Sequence, residues 1–478
     1  VRTTATGLVA DLAAGRVSSS AALEYFLSRV KEHNPALNAV VALDVAGARA
    51  QAEAADAAAA RGLRLGPLHG LPMTVKDTFE TAGLVTTAGA PELAGHLPER
   101  DADAVARLRA AGAVVFGKTN TPLYAGDFQS CNDVYGTTGN PWDLARTPGG
   151  SSGGSAAALA AGLTPLELGS DVAGSIRSPA HFCGVCGHLP TRGAVPARGH
   201  IPGAPGTLAV PPLGSPGPMA RCVADLELAL DVLVGPDLAG VPGGTLPAAA
   251  VRTGELRLAV WAEHPALRTD PEIRAALDEL AGELAGLGVR VLRKLRPPRP
   301  LYEIHQTYAR LLLAVLAPSF PEPVFRRLRR IARRASPDDR RPAVELGRAV
   351  TLSYREWQDL DERRARITAG WAAVFAEADA VLTPAAPLTA FAHQTAGTPL
   401  TRELEVNGRK APYLAQMAWA TPASLSGLPA TTVPLGRSAA GLPFGVQVIA
   451  PRWHDRKALA VARVVERLTG GFEAPPGY

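Results

Sequence analysis

The sequence is poor in the residues that usually announce a chemistry. Four cysteines in 478 residues, at 131, 183, 186 and 222, exclude a disulfide framework for a chain this long. Cys183 and Cys186 form a CxxC within HFCGVCGH. A second pair at metal-site spacing is missing, so zinc or redox chemistry gives way to buried structural thiols. Aromatic residues make up 5%, and they do not interleave the arginines of FRRLRRIARRASPDDRR, residues 325–341. That segment places Leu328, Ile331, Ala332 and Ala335 at helical spacing and reads as an amphipathic helix with a solvated basic face rather than a nucleic-acid or membrane contact. The net charge of +5 is mild for this size. No apolar run approaches the ~20 residues needed to span a bilayer. The N-terminal segment lacks the basic, apolar, small-residue order of a signal peptide, and the expectation is a cytoplasmic protein. With 47% hydrophobic residues the chain has ample material for a core.

Lysine is scarce as well. Six of the 49 basic residues are lysine, at 31, 76, 118, 294, 410 and 457, so arginine serves wherever a generic positive charge will do. Lysine, unlike arginine, readily loses its proton when buried. Lys76 ends the mostly apolar run LPMTVKD, residues 71–77. It is either such a group or a strand-end lysine whose head reaches water. Lys118, in VVFGKTN, has a similar setting and reads as the second kind.

Against these absences stands one rich stretch, residues 147–178, TPGGSSGGSAAALAAGLTPLELGSDVAGSIRS. A Gly-Ser cluster at 149–155 and a second Gly-Ser turn at 169–175 flank an Ala-rich run. The order implied is loop, tightly packed helix, short strand, loop. Both serine clusters would then lie near helix N-termini, where unpaired N–H groups point outward. Gly and Ser also simply mark surface loops, which leaves that alternative standing for either cluster alone. None of the ten histidines has a setting that identifies it as the base of a Ser-His-Asp triad.

The stretches GLPMTVKDTFETAGLVTTAG (70–89), GKTNTP (117–122), YGTTGNPWDLARTPGGSSGGSAAALAAG (135–162), GSDVAGSIRSPAHFCGVCGHLPT (169–191), LPATTVPLG (428–436) and GLPFGVQVIA (441–450) resemble the amidase signature family of serine hydrolases. Residues 240–400 match weakly. The resemblance implies Ser175 as nucleophile, Ser151 as bridging serine behind a cis Gly150–Ser151 peptide, and Lys76 as base. It also implies an oxyanion hole from the backbone N–H groups of Val172, Ala173, Gly174 and Ser175, and an acyl site lined by Tyr124, Ala125, Gly126 and Phe128. Many family members carry two glycines before the nucleophile. This chain has Ala173-Gly174, which would be strained only where position 173 needs a positive φ.

Alternation of helical and apolar segments, together with the family's many-stranded mixed sheet, sets the fold expectation: α/β, one three-layer α/β/α domain over 1–478, with a large mixed, mostly parallel sheet covered by helices. Residues 1–62 are expected to be helical around an apolar interruption at 38–42. Residues 196–218 are expected as a loop beside the site and 235–255 as a surface linker. Residues 300–377 are expected as a variable helical region able to form a lid. The activity implied is hydrolysis of a small carboxamide or N-acyl amine with no metal or cofactor. The partner is a small-molecule amide, with no nucleic acid and no membrane; a homodimer is the assembly entertained. The alternatives are an amide-transfer enzyme using the same acyl-serine, either a glutamine amidotransferase subunit or an amide synthase, and a catalytically silent scaffold.

Overall fold

The computed structural model describes residues 4–201, 205–209, 212–234, 245–263, 268–294 and 296–478. The strands are β1 (Val40–Leu43), β2 (Pro72–Lys76), β3 (Val114–Thr119), β4 (Cys131–Asn132), β5 (Gly136–Thr137), β6 (Leu166–Asp171), β7 (Cys186–Leu189), β8 (Ser215–Ala220), β9 (Arg257–Val260), β10 (Arg290–Leu292), β11 (Ala380–Pro384), β12 (Glu403–Val406), β13 (Arg409–Pro412), β14 (Ala430–Arg437) and β15 (Pro443–Ile449). Eleven of them form one sheet in the order β1-β3-β2-β6-β8-β7-β14-β15-β11-β9-β10, while β4-β5 and β12-β13 are separate hairpins. Helices pack over the sheet, and the expected α/β/α class with a mixed sheet is what the chain adopts.

Parallel pairing holds in two blocks, β3-β2-β6 and β11-β9-β10. The joins from β6 through β8, β7, β14 and β15 to β11 are antiparallel, as is β1 on β3. The parallel share is therefore smaller than expected. Two strands contribute three of the six antiparallel pairings. Cys186–Leu189 carries the second thiol of the CxxC, and Ser215–Ala220 begins within the 196–218 segment expected as a loop. The latter, SPGPMA, carries Pro216 and Pro218, which ordinarily argue against a central strand. It is tolerated because β7 pairs with this strand only at Met219 and Ala220, leaving one flank at the prolines without need of a donor. Parts of the 196–218 and 235–255 segments lie outside the described residues.

The remaining expectations align closely. Strand β1 fills the apolar interruption between helices Ser19–Leu37 and Val45–Ala60. Strands β2, β3 and β6 are buried along their whole length, as strands covered on both faces should be. The helix Gly153–Ala160 is buried at every position. Its small residues allow that: a Cβ at Gly154 would stand 2.4 Å from the Asn120 backbone nitrogen at the end of β3. Helices Leu301–Leu316, Glu322–Arg334, Pro342–Val350 and Tyr354–Glu377 occupy the weakly matched region. Among the described residues no helix is long and apolar enough to cross a membrane.

Candidate active site

Parallel, in-register strands bring their C-terminal ends to one edge of a sheet, where α/β folds place their sites. Val75 of β2 pairs with Leu168 of β6, so Lys76 emerges beside the 169–171 end of that strand. Lys76 is wholly buried. Its Nζ lies 2.6 Å from Ser151 Oγ and 3.0 Å from Ser170 Oγ. Ser151 follows a cis Gly150–Ser151 peptide, directly before the Gly153–Ala160 helix. The neighbouring Ser152 N–H donates to the Ser175 carbonyl at 3.1 Å, which ties the two Gly-Ser segments together.

Burial lowers the Lys76 ammonium to about 7, against the opposing charges of Asp171 and Glu167. An amine in that range exchanges its proton near neutrality. Glu167 is buried below it, and burial raises its carboxyl to about 7 against hydrogen bonds from Thr74, Ser155 and Thr119. Lys118 does not reach water, contrary to the sequence reading. It is fully buried, burial lowers it to about 8, and it donates to the Phe79 carbonyl and to Thr81 and Thr86 hydroxyls. The extended side chain had no route out because β3 is covered on both faces.

The turn leading into Ser175 is held by Asp171. This carboxylate is pushed up by burial but pulled down further by Arg177 and by N–H donors, and it ends below its ordinary value. It accepts from the Gly174 N–H at 2.7 Å and the Ile176 N–H at 3.1 Å. It also pairs with Arg177 at 2.8 Å, both side chains fully buried. The Gly174 N–H is therefore already occupied, which removes it from the expected set of oxyanion donors. The N–H groups of Val172, Ala173 and Ser175 have no acceptor among the described residues. Gly174 carries the positive φ of this turn, 108°, and Ala173 does not, so the alanine at 173 is unstrained.

Ser151, Ser170 and Ser175 share the wall of a cavity of about 500 Å³ with Val172 and Ala173. Tyr124, Ala125, Gly126 and Phe128 line it as well. Tyr124 and Ala125 both adopt left-handed backbone, φ 48° and 56°, a conformation that persists in non-glycine residues only where surrounding structure imposes it. A further part of the wall belongs to the 300–377 region expected to be able to form a lid. It comes from Leu312, Leu313 and Leu316 of helix Leu301–Leu316, Leu328 of helix Glu322–Arg334 and Leu346 of helix Pro342–Val350. Leu328 is the buried face of the arginine-rich helix. Asp127 is the charged residue on the wall, and its carboxylate is already engaged by Arg402 at 2.5 Å and the Tyr413 hydroxyl at 2.6 Å.

Sequence reasoning also missed Ser170 and His200. Ser170 was legible in principle, since it lies near the end of the strand paired with the one that ends at Lys76. His200 lines the cavity, and its Nε2 has no partner among the described residues. Burial and the nearby Lys76 and Lys118 charges lower it to about 3, so its ring is neutral. The CxxC thiols are free and buried, and burial raises both. No cluster of three or more His, Cys, Asp or Glu able to hold a metal occurs among the described residues.

Residues 21–459 match the family model described as Amidase. The chain belongs to the amidase signature family. It is an enzyme acting on amide C–N bonds. A similar curated protein is a glutamyl-tRNA(Gln) amidotransferase subunit of Roseiflexus castenholzii (strain DSM 13941 / HLO8), 35% identical, with 96% of this chain and 94% of that protein covered. Among solved structures, an amidase superimposes with a TM-score of 0.80 at 32% identity, covering 98% of this chain and 100% of the other. A 6-aminohexanoate cyclic dimer hydrolase complexed with substrate gives 0.77 at 28% identity, covering 99% and 98%.

Proposed function

We propose that this amidase hydrolyses amides bearing an apolar acyl group, through an acyl-serine on Ser175. The observation that carries the reading is a solvent-sealed amine, Lys76 Nζ, 2.6 Å from a serine hydroxyl on the wall of an apolar cavity. Neutral Lys76 takes the Ser151 proton as Ser151 takes that of Ser175, and Ser175 Oγ bonds to the substrate carbonyl carbon. The oxyanion is received by the unpaired N–H groups of the 172–175 turn, donors whose individual loss typically costs about 3–4 kcal/mol in the barrier. The C–N bond then breaks as Ser151 returns a proton to the leaving amine and Lys76 returns one to Ser151. Water repeats the sequence on the acyl-enzyme and releases the acid. The helices between 301 and 350 form the acyl wall and act as the lid.

The relatives named as amidotransferase subunits favour a second reading, transfer of ammonia from glutamine within a complex. Free glutamine carries an α-carboxylate, and the described cavity wall offers neither lysine nor arginine to pair with it. The apolar lining supports hydrolysis of uncharged amides instead. The purified chain is offered aryl amides of benzoate and medium-chain acids beside glutamine, following amine release and the mass of Ser175. Release from the apolar amides, with an acyl adduct absent in Ser175→Ala, supports the reading. Glutamine turnover alone, dependent on an added partner chain, overturns it in favour of transfer.

A further inference from the structure

We infer that Tyr308, in the helix that walls the acyl cavity, is a positioning residue for the oxyanion turn. The inference rests on the acyl-serine reading. Three consecutive peptide units of the turn are each gripped at one end. The Val172 carbonyl accepts from the Tyr308 hydroxyl. The Gly174 N–H donates to Asp171 at 2.7 Å. The Gly174 carbonyl accepts from the Ser178 N–H at 2.7 Å.

In a trans peptide the carbonyl and the N–H point in opposite directions. Holding the Val172 carbonyl therefore aims the Ala173 N–H, and holding the Gly174 carbonyl aims the Ser175 N–H. Those two donors have no acceptor among the described residues, and both residues face the cavity. Asp171 and Ser178 grip the turn from its own segment of chain. Tyr308 reaches it from 136 residues away, on helix Leu301–Leu316, whose Ala309, Leu312 and Leu316 line the cavity.

Tyr308 is fully buried, and burial pushes its phenol far above the usual range, so the hydroxyl keeps its proton. An acyl group seated against Leu312 and Leu316 bears on the same helix that holds the Val172 carbonyl. Acyl fit and oxyanion geometry are linked through one side chain.

Tyr308→Phe keeps the ring and its packing and removes the grip. A misplaced donor of this kind can cost up to about 100-fold. The expected result is a fall in kcat of about 10- to 100-fold with KM within about twofold of wild type. A trifluoromethyl ketone, which forms a tetrahedral adduct with serine, should weaken by the same factor as kcat/KM. A non-covalent apolar amide inhibitor should bind unchanged and serves as the control for an intact cavity. Unchanged ketone affinity in Tyr308→Phe, with or without a lower melting temperature, overturns the positioning role. Equal weakening of ketone and non-covalent inhibitor also overturns it, because that is general loosening. Absence of any Ser175 adduct in the wild-type chain overturns the acyl-serine reading itself, and this inference with it.

Discussion

Titration of the buried amine tests the proposed chemistry from two independent sides. Burial brings Lys76 from 10.5 down to about 7, and the base must be neutral to act. For a single proton lost at that value, ~9% of the enzyme is active at pH 6 and ~91% at pH 8, so kcat/KM rises about tenfold between them. The same shift acts on stability. The unfolded lysine holds its proton up to 10.5 while the folded one sheds it near 7. Between those values the unfolded state binds more protons, so stability rises with pH, by at most ~1.4 kcal/mol per unit for one group. The contribution is complete above the unfolded value and lost as pH falls through the folded one. The 3.5-unit difference corresponds to a burden of roughly 5 kcal/mol when the ammonium is charged and folded. Lys76→Met removes the amine. It should abolish activity and flatten the rise in stability between pH 7 and 9 relative to wild type, with Lys118, lowered to about 8, sustaining part of the slope. Glu167 does not confuse the comparison: raised from 4.5 to about 7, it makes stability fall with pH below 7. The assay is initial rates on an aryl amide at substrate well below KM from pH 5 to 10, beside urea unfolding of both chains across the same range. An activity limb centred below pH 5, or a Lys76→Arg variant keeping more than about a tenth of wild-type rate, would refute the reasoning.

Other substitutions probe the surrounding parts. Ser170→Ala removes one of the two hydroxyls beside Lys76 Nζ and should lower kcat by about 10-fold or more, less than Ser151→Ala, measured on one substrate. Leu312→Trp adds bulk to a cavity of about 500 Å³; KM should rise for long apolar acyl amides and stay unchanged for acetyl amides, and a uniform rise would point to misfolding instead. Gly154→Ala would set a Cβ 2.4 Å from the Asn120 nitrogen, a backbone clash expected to cost about 1–3 kcal/mol or more and visible as a lower melting temperature. Asp171→Ala leaves Arg177 buried without its carboxylate, a loss of about 3–5 kcal/mol, and it should reduce activity further by freeing the Gly174 N–H.

The fold was legible where local chemistry and burial agree. The tightly packed helix after Ser152 follows from Ala and Gly too small to sit anywhere but against a neighbour, and it is buried at every position. Ser215–Ala220 was not legible, because proline has a strong local preference and nothing in the sequence reveals that one flank of that strand goes unpaired beside the prolines. Which side chains of the 300–377 region line the cavity was equally hidden. Leu312, Leu328 and Leu346 sit on three helices whose amphipathic pattern shows that each has a buried face. It does not show that the three faces meet over one cavity, which only tertiary packing decides. The occupied Gly174 N–H could not be foreseen either, since it depends on where the Asp171 carboxylate turns.

Lysine scarcity drew attention to Lys76, yet it applies equally to Lys118. Both are fully buried, and burial lowers both, so neither rarity nor titration separates them. Their partners do. Lys118 donates to a backbone carbonyl and two threonine hydroxyls, fixed acceptors that leave the amine a structural cation beside Asp77. Lys76 faces two serine hydroxyls that also form cavity wall, so a proton it accepts can come from a group that substrate reaches. A buried lysine becomes a candidate base when its hydrogen-bond partners can themselves give up a proton toward an open site. That condition distinguishes the amine at 76 from the one at 118, and it is met by the convergence of Lys76 with Ser151 and Ser170 rather than by any residue alone.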